Sequence, residues 1–341
     1  MASKTNCNRH CQNCRKAWPP RMSHSHDDAD NDDHEGGLRI VTFEQQRFPT
    51  SLFGHRIAMN SDGLDVERLL TSFNNLELYC DAPDVSPYTS TSSCSVDVSL
   101  EEAFHFPQKI STRLPIEAPT HLRINSSNLK AMWCRVTAHF FEWVAGVPEL
   151  RLLDVREKLK LVVRQYVKVT CLIVSYWTYR QGHSGMVMGC GINFVPTEYQ
   201  DQSLKSIMSS TANILQNNVI SIFQKAAITR EEYLLIKLIV LFSTPHLHFH
   251  QPDRFIIDTA LKKYQAALVD HIKRSYPYLD HNEVTGRVSL LLETIPFLEV
   301  VAQHCAFHWS VMTINNDGNI RGQLTDEIYI QTKRIFRADG R

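Results

Sequence analysis

The stretch from about Asp154 to Tyr179 constrains the fold more than any other part of the chain. Its residues fit one long helix, and from Leu161 to Trp177 apolar side chains occur on almost every side of it rather than along one stripe. A helix that is apolar all round must be covered by protein on more than one face. The sequence therefore predicts a helix that lies between two other layers of secondary structure.

Helical patterns precede this central segment. One begins near Leu64, with Ser61 or Asp62 as its cap, and runs to about Tyr79. A second is capped by Ser126 or Ser127 and is ended by a proline. Its apolar side chains recur at intervals of three and four residues, which places them on one face: Met132, Trp133, Val136, Phe140, Trp143, Val144 and Val147. Between these helices, residues 81–98 are predicted to form a loop and residues 100–119, with three prolines, to be irregular.

The chain stays largely helical after the central segment. Four glycines between short apolar runs at 180–196 predict a small β-turn or hairpin. Four helices then follow, at about 199–226, 229–242, 256–272 and 283–313. Thr229 and Glu232 form a capping box at the start of the second of these, and Pro296 should kink the fourth. Residues 61–341 are thus predicted to form one all-α domain, a three-layer helical sandwich with one small β-turn or hairpin.

The first 60 residues differ in character from the rest. Residues 1–22 are basic and contain three closely spaced cysteines, Cys7, Cys11 and Cys14. Residues 23–60 begin with a tract rich in aspartate and histidine that has no apolar periodicity, so we expect a disordered acidic linker. Such a tract can also bind metal weakly, although a solvated linker is the favoured interpretation.

Composition excludes several classes of protein. Lys+Arg and Asp+Glu are both 36, so no global charge points to nucleic acid or to an anionic membrane. The nine cysteines are an odd number and no secretory signal occupies residues 1–20, which favours a reducing intracellular compartment over a disulfide scaffold. The apolar run from Tyr233 to Phe242 is too short to cross a bilayer, so no membrane partner is expected.

No candidate catalytic site is convincing. His246, His248 and His250 alternate and could offer three imidazoles to zinc, but they lie between two prolines in a stretch that fits a loop better than a strand. The sequence GHSGM at Gly182 lacks the second glycine of a nucleophile elbow, because Met186 stands in its place. No phosphate-binding glycine loop occurs either, so we predict that the chain is not an enzyme and has no catalytic residues.

Four motifs then occur in a characteristic order. The first motif, in residues 141–163, begins with a helix end that has an acidic–aromatic pair and a proline: Glu142, Trp143, Val147 and Pro148. The following helix has charged residues among apolar ones: Leu153, Glu157, Lys158, Leu161 and Val162. Residues 229–243 place paired acids before a leucine-rich run with one lysine, and residues 260–272 and 286–298 give a tyrosine-bearing helix and then an arginine before a leucine-rich stretch with proline. The β-turn region stands between the first motif and the second.

These motifs resemble the ligand-binding domain of nuclear hormone receptors, and the divergent nematode members are the most similar. The resemblance covers roughly residues 60–335 and implies the helical sandwich fold. It also implies a tail of the activation-helix kind, for which Leu324, Glu327, Ile328 and Tyr329 fit and Thr325 is a weak substitute. In the family the tail glutamate caps the helix of a coactivator peptide, and a lysine at the end of the third helix completes the clamp. Ala145 stands at that lysine's position here, which puts ordinary clamping in doubt.

The cysteine cluster resembles the end of the family's second zinc module, so residues 1–22 are interpreted as a remnant. Cys7, Cys11 and Cys14 supply three ligands where a structural zinc site needs four, and the recognition helix that reads DNA bases is missing. Zinc is therefore possible but incomplete, and DNA binding by this chain is expected to be weak and without sequence preference. Either a true loss of the module or a truncated gene prediction would explain the remnant.

The resemblance implies a transcription regulator that is located in the nucleus, and a location in the cytoplasm as well is an open alternative. Its helical domain would bind a small lipophilic ligand, with Trp133, Val136 and Phe140 as pocket candidates, although core packing explains these three equally well. The expected partners are coregulator proteins and a second receptor, as homo- or heterodimer, paired through the helix at 286–299. The main alternative is a helical scaffold without a ligand, whose interior is filled by its own side chains. A metal enzyme that uses the three alternating histidines is the third.

Overall fold

A computed structural model describes residues 65–84, 94–116, 122–196, 202–244 and 249–331. The predicted zinc remnant at residues 1–22 and the predicted linker at 23–60 lie outside these ranges. The helices are α1 (Val66–Asp81), α2 (Leu100–His105), α3 (Leu129–Ala145), α4 (Val155–Arg180), α5 (Gln202–Ile214), α6 (Ser221–Ala226), α7 (Arg230–Phe242), α8 (Asp253–Ser275), α9 (His281–Leu292), α10 (Thr294–Asn315) and α11 (Gln323–Thr325). Two short strands, β1 (Met186–Val187) and β2 (Asn193–Phe194), pair antiparallel in register Met186 with Phe194 and Val187 with Asn193.

The helices form the predicted three layers. The middle layer contains α4 and α7, which pack against each other, and α8 continues it along α7. On one side α1 and α3 cover the middle layer, and on the other side α5 and α10 lie against each other and α10 packs on α4. Residues from Leu161 to Ile173 and from Tyr233 to Phe242 are almost all buried, as a helix between two layers requires. The prediction from the all-round apolar segment is therefore confirmed.

The N-terminal caps of two helices differ from the sequence prediction. Asp65, rather than Ser61 or Asp62, caps α1 by accepting a hydrogen bond from the Arg68 amide. Asn128, rather than Ser126 or Ser127, is the N-cap residue of α3, while the Asn125 side chain accepts from the amides of the turn before it. Asp65 is close enough to the first turn of α1 to reach an unpaired N–H group, whereas the Asn128 side chain makes no cap hydrogen bond to α3.

Where the sequence predicts a kink at Pro296, the structure has an interruption of one residue, Glu293, whose backbone angles stay helical (φ −59°, ψ −18°). The structure ends α9 at Leu292 and starts α10 at Thr294, so Pro296 is the third residue of the new helix. Proline lacks an N–H, and its ring clashes with the carbonyl four residues earlier, which here belongs to Leu292. The helix therefore ends at the residue whose carbonyl the proline excludes from the hydrogen-bond ladder.

The region predicted to be irregular contains a short helix. α2 begins with a capping box, in which the Glu102 amide donates to the Ser99 hydroxyl (3.1 Å) and the Ser99 amide donates to the Glu102 carboxylate (3.3 Å). The segment that carries α2 closes on itself, since the Ser95 amide donates to the Ile110 carbonyl (2.9 Å). The predicted helix at 199–226 is also divided, because a π-helical turn at Leu215–Ile220 separates α5 from α6.

A buried group of charged residues joins α1, α3 and α7. The Lys237 ammonium contacts the Glu77 carboxylate and lies 4.2 Å from the centre of the Trp143 ring. His139 stands between two acids, 3.5 Å from Glu77 and 3.3 Å from Asp81. Glu77, His139 and Lys237 are all about 0–1% exposed, so their charges are shielded from water and depend on one another and on Asp81.

The pKa values in this group follow from burial and from neighbouring charge. Burial alone would raise the pKa of Glu77, but the Lys237 ammonium and the His139 imidazole lower it to about 2. Burial opposes the charged form of His139, yet the Asp81 carboxylate raises the pKa of that imidazole above its ordinary value. Glu77 is therefore ionised and His139 is more readily protonated in the folded protein, which keeps opposite charges adjacent.

A second ion pair joins two of the sequence motifs. Arg287 of α9 donates to both carboxylate oxygens of Glu232 at the start of α7, at 2.6 and 2.8 Å. The same guanidinium donates to the Tyr276 hydroxyl at 3.0 Å. Glu232 also forms the predicted capping box with Thr229. The acid before the leucine-rich run and the arginine before the last helices are thus direct partners, which fixes α9 against the middle layer.

Candidate functional site

One cavity lies between α3, α4, the β-hairpin, α5, α10 and the tail that follows α11. Its walls are mostly apolar and aromatic, and a few hydroxyl, thiol and imidazole groups interrupt them. The lining residues are Met132, Trp133, Val136, Tyr166, Val167, Thr170, Cys171, Val174, Met186, Met188, Ile207, Met208, Thr211, Leu215, Cys305, His308, Trp309, Met312 and Tyr329. Residues from all three layers meet here, which only the assembled fold brings together.

The free space in this cavity is small. Its volume is about 70 Å³. Pockets for drug-sized ligands span about 300–1,000 Å³. Five of the lining residues are methionines, however, and their unbranched side chains change rotamer more easily than branched or aromatic ones. The cavity can therefore expand by moving side chains rather than backbone.

Aromatic rings and hydroxyl groups form one end of the cavity. The Trp133 indole N–H donates to the Tyr329 hydroxyl at 2.9 Å, and the Thr137 and Tyr166 hydroxyls are 2.7 Å apart. The Tyr329 ring also stacks on Trp309 of α10, with ring centres 6.0 Å apart and planes 10° apart. Burial raises the pKa of the Tyr166 and Tyr329 hydroxyls, so both remain neutral hydrogen-bonding groups at physiological pH.

Two thiols lie on the α4 and α10 walls. Cys171 and Cys305 both line the cavity, and the Cys305 sulfur is 3.6 Å from the Thr211 hydroxyl. The neighbouring Cys171 thiol lowers the pKa of the Cys305 thiol, while the Cys305 thiol and then burial raise the pKa of Cys171 well above its ordinary value. His308, one turn after Cys305, has its pKa lowered by burial and by the neighbouring His304. These groups give the cavity wall its limited polarity.

The three predicted pocket residues do not share one environment. Trp133 and Val136 line the cavity. Phe140 lies one turn further along and packs edge-on against Tyr166, with ring centres 5.2 Å apart. The helical periodicity predicted that all three share a face of α3, but it could not show where the cavity ends along that face.

The predicted tail residues form α11 and the π-helical turn Asp326–Gln331 that continues it. Leu324, Ile328 and Tyr329 are buried, and Tyr329 points into the cavity. The Ser310 hydroxyl of α10 donates to the Tyr329 carbonyl at 3.2 Å. Thr325, the weak substitute in the apolar pattern, is also buried, because its hydroxyl donates to the carbonyls of Ile320 (2.8 Å) and Gly322 (3.0 Å).

Glu327 lies at the other side of the tail and meets a helix of its own chain. Its carboxylate accepts a hydrogen bond from the amide of Leu100, the first residue of α2, at 2.6 Å. The other carboxylate oxygen accepts from the Gln323 side chain at 2.9 Å. Ala145, which stands where the resemblance expected a lysine, is the last residue of α3 and is half-buried.

The structure does not test the metal-site candidates from the sequence. Cys7, Cys11 and Cys14 lie outside the described residues, and so do His246 and His248, while His250 is exposed. Among the residues that the structure describes, no group of three or more His, Cys, Asp or Glu side chains could hold a metal ion. The zinc remnant therefore stays a prediction.

Part of the outer surface of α10 is apolar. Large side chains of α10 project into solvent, and Val300, Phe307 and Ile314 are each more than half exposed. The continuous stretch His281–Asn315 is long and apolar enough to cross a bilayer by length and composition, and 28% of its most apolar window is buried. The longest apolar run in the sequence did not reveal this stretch, because scattered polar residues interrupt it.

Sequence reasoning missed the role of Tyr329 and the existence of α2. The tail pattern placed Tyr329 among apolar residues without showing that its hydroxyl would reach Trp133, 196 residues earlier. A local signal for α2 was present, since Ser99 and Glu102 have the spacing of a capping box. The three prolines in the same stretch favoured irregular structure over a helix in the sequence prediction.

A comparison with protein-family models agrees with this architecture. The model for the ligand-binding domain of nuclear hormone receptor matches residues 117–306, which is more than half of the chain. The match includes α3 to α9 and most of α10. It therefore contains every wall of the cavity except the end of α10 and the tail.

Proposed function

Because this chain belongs to the nuclear hormone receptor family, we propose that it is a transcription regulator in the nucleus that binds a small apolar ligand and is read by other proteins through its tail. One observation carries the proposal. Tyr329 is part of the cavity wall and part of the tail at the same time. A molecule in the cavity therefore acts on the tail by direct contact.

The hydrogen bond between Trp133 and Tyr329 is the point where a ligand would act. A ligand that leaves this bond intact and fills the space beside it adds contacts that hold the tail against α3 and α10. A ligand that displaces the Tyr329 ring removes the bond and the stacking on Trp309, and it favours a released tail. The ligand shifts the tail only by its difference in affinity for these two states.

The shape of the cavity limits the ligand. At about 70 Å³ it accepts a lipid only if the methionines swing out of the way, so we propose a slender, flexible, mostly apolar molecule. Thr170, Thr211 and His308 offer hydrogen bonds along the walls, which suits a molecule with one or two oxygen atoms. We propose no catalytic role for these residues.

A ligand-free scaffold is the second candidate function, and the small volume favours it. In that case the methionines and aromatic rings are the permanent filling of the domain interior. The tail would then be held by side chains of the protein alone. Regulation would come from partners at the surface rather than from a small molecule.

Pairing with another receptor is the proposed role of the apolar surface on α10. Val300, Phe307 and Ile314 lie on a helix whose outer side offers apolar area without long charged side chains among them. A stable interface needs about 800 Å² from each partner, which a helix of 22 residues together with α9 can supply.

DNA binding by this chain alone would be weak and without sequence preference, and a tight, site-specific gel shift by the isolated chain would contradict that.

Native mass spectrometry of the full-length chain tests the ligand proposal. The mass of the folded protein is compared with its denatured mass, before and after addition of oleic acid as the probe. Val174→Phe fills the cavity from α4, and Val300→Phe adds the same group at an exposed position of α10 as the matched control. We expect a retained lipid-sized mass in the wild type and in Val300→Phe and its loss in Val174→Phe.

Two results would count against the ligand. A bare protein mass in all three chains, with no uptake of the probe, would favour the scaffold. Equal retention in Val174→Phe would place the bound lipid elsewhere, for instance on the outer surface of α10.

The same spectra test the zinc prediction. A retained zinc ion would show that the cysteine cluster recruits a fourth ligand.

A further inference from the structure

α2 is held at its first residue by the tail. The Leu100 amide donates to Glu327 at 2.6 Å, in addition to the capping box that Ser99 and Glu102 form at the same end. The first amides of a helix have no partner within the helix and carry partial positive charge, so a carboxylate at this position is favourable. Glu327 therefore binds the end of a helix that comes from more than 200 residues earlier in the same chain.

The buried face of α2 has the spacing of a docked amphipathic helix. Leu100, Ala103 and Phe104 are buried and follow the pattern i, i+3 and i+4, while Glu101 and His105 face solvent. This face packs on α3. The Lys158 ammonium at the start of α4 lies 5.0 Å from the centre of the Phe104 ring. The helix is thus contacted near one end by an acid of the tail and near the other by a lysine of α4.

α2 is too short to be stable by itself. It has six residues, whereas isolated helices shorter than about 12–15 residues are marginal in water. Its helical form depends on the surface below it and on the two charged side chains. The same surface would therefore order another segment that offers the same apolar spacing and a free first turn.

The tail and the α2 segment also contact each other directly. The Leu324 amide donates to the Val96 carbonyl at 2.9 Å. Gly322 fits so closely that an added Cβ would lie 2.6 Å from a Val96 methyl group and 2.8 Å from the Val96 carbonyl oxygen. A movement of α2 away from its surface therefore removes contacts that hold the tail.

We infer that α2 is a built-in competitor, which occupies a docking surface for an amphipathic helix of a partner protein. The partner helix has apolar side chains at i, i+3 and i+4, and its first-turn amides bind Glu327 once α2 has left. This inference rests on the proposed function only in that a partner reads the tail, and it needs no ligand. It gives the chain a resting state in which its own helix keeps partners away.

A peptide titration on the full-length chain tests the inference. The probe is a fluorescein-labelled synthetic peptide with the sequence of residues 95–108, SVDVSLEEAFHFPQ, and its binding is measured by fluorescence anisotropy. In the wild type the tethered α2 competes at an effective concentration of the order of millimolar, so the probe should bind weakly. Phe104→Ser removes the largest buried side chain of α2, and we expect at least about tenfold tighter binding of the probe.

Three controls make the result specific. Glu101→Gln alters an exposed residue of the same helix and should leave the affinity of the wild type unchanged. Glu327→Gln added to Phe104→Ser should reverse most of the gain, because the charged cap for the probe is lost. A probe in which Leu100 and Phe104 are both replaced by serine should not bind any of these chains.

Two outcomes would overturn the inference. One is a Phe104→Ser chain that is folded by circular dichroism and binds the probe no better than the wild type. The second measurement needs no variant, which covers the case in which Phe104→Ser fails to fold. In hydrogen exchange on the wild type, saturating unlabelled probe should reduce the protection of amides 100–106, and unchanged protection would refute displacement.

The two proposals fail separately. A chain that retains no lipid but binds the probe once α2 is weakened loses the ligand proposal and keeps this inference. A chain that retains lipid and never exchanges α2 for the probe does the reverse.

Discussion

The buried pair of Glu77 and Lys237 gives the sharpest prediction about stability. Lys237→Met keeps the length and apolar stem of the side chain and removes its charge. Glu77 would then keep only the His139 ring, 3.5 Å away, as a possible cationic partner. Removing one member of a buried ion pair is costly because the remaining charge stays in a medium that solvates it poorly.

The magnitude follows from the pKa of Glu77. That pKa is lowered from 4.5 to about 2, and one pKa unit corresponds to about 1.4 kcal/mol, so the folded state favours the ionised form by roughly 3 kcal/mol. The Lys237 charge is the largest contribution that lowers this pKa, and the His139 ring supplies the next two. Losing one member of a buried ion pair costs roughly 3–5 kcal/mol, so we expect Lys237→Met to lower the free energy of unfolding by roughly 3 kcal/mol near neutral pH, a large part of the usual 5–15 kcal/mol.

The effect should depend on pH with a definite sign. A carboxyl whose folded pKa is lowered contributes stability above its unfolded pKa, and this stability is lost as the pH falls from 4.5 towards 2. In the variant, burial without the ammonium raises the pKa of Glu77, so the carboxyl takes up a proton and its cost disappears in mild acid. The difference between the two chains should therefore shrink as the pH is lowered from neutral to about 4.

Urea unfolding followed by far-UV circular dichroism measures both quantities. Lys273→Met, at an exposed position near the end of α8, is the matched control and should change the free energy of unfolding by less than about 0.5 kcal/mol. Glu77→Leu combined with Lys237→Met should recover most of the loss, since no unpaired carboxylate remains. A loss below about 1 kcal/mol for Lys237→Met, or an equal loss at neutral and acid pH, would refute the reasoning.

Three further predictions concern other contacts. Arg287→Ala should cost about 2–4 kcal/mol in urea unfolding because it leaves the buried Glu232 carboxylate without its bidentate partner, whereas Arg274→Ala, at an exposed pair with Asp270, should cost less than about 1 kcal/mol. Trp133→Phe removes the indole donor to Tyr329 and should weaken the tail by about 1 kcal/mol, seen as faster limited proteolysis after residue 322 with little change in global unfolding; an unchanged cleavage rate would contradict the anchoring role. Gly322→Ala should expose the tail in the same assay because its Cβ would meet Val96, while Gly286→Ala meets no atom within 4 Å and should stabilise α9 by about 0.5–1 kcal/mol.

The architecture could be predicted from the sequence because it depends on patterns that extend over many residues. The all-round apolar stretch of α4 requires two covering layers whatever the details of packing. The capping box at Thr229 and Glu232 marks the start of α7 by local hydrogen bonds alone. Four glycines marked the hairpin for a similarly local reason, since Gly182 and Gly191 have positive φ angles of 58° and 66°.

Local detail was predicted less well where a single residue decides between alternatives. The interruption between α9 and α10 lies at Glu293, three residues before Pro296, and the sequence did not show at which residue the proline would act. α2 forms because a capping box and a complementary surface outweigh its poor intrinsic stability. The prolines around it indicated irregular structure and gave no sign of that surface.

The sequence by itself determined the class of fold, the order of its helices and the family, since each depends on periodicity and on motifs that a chain carries locally. Only the tertiary structure decided what the candidate residues do. It brought Trp133 within 2.9 Å of the Tyr329 hydroxyl, set Phe140 behind Tyr166, and joined Glu327 to Leu100. The physical reason is that these contacts join residues far apart along the chain, and their geometry depends on the relative positions of whole helices, which periodicity leaves undetermined.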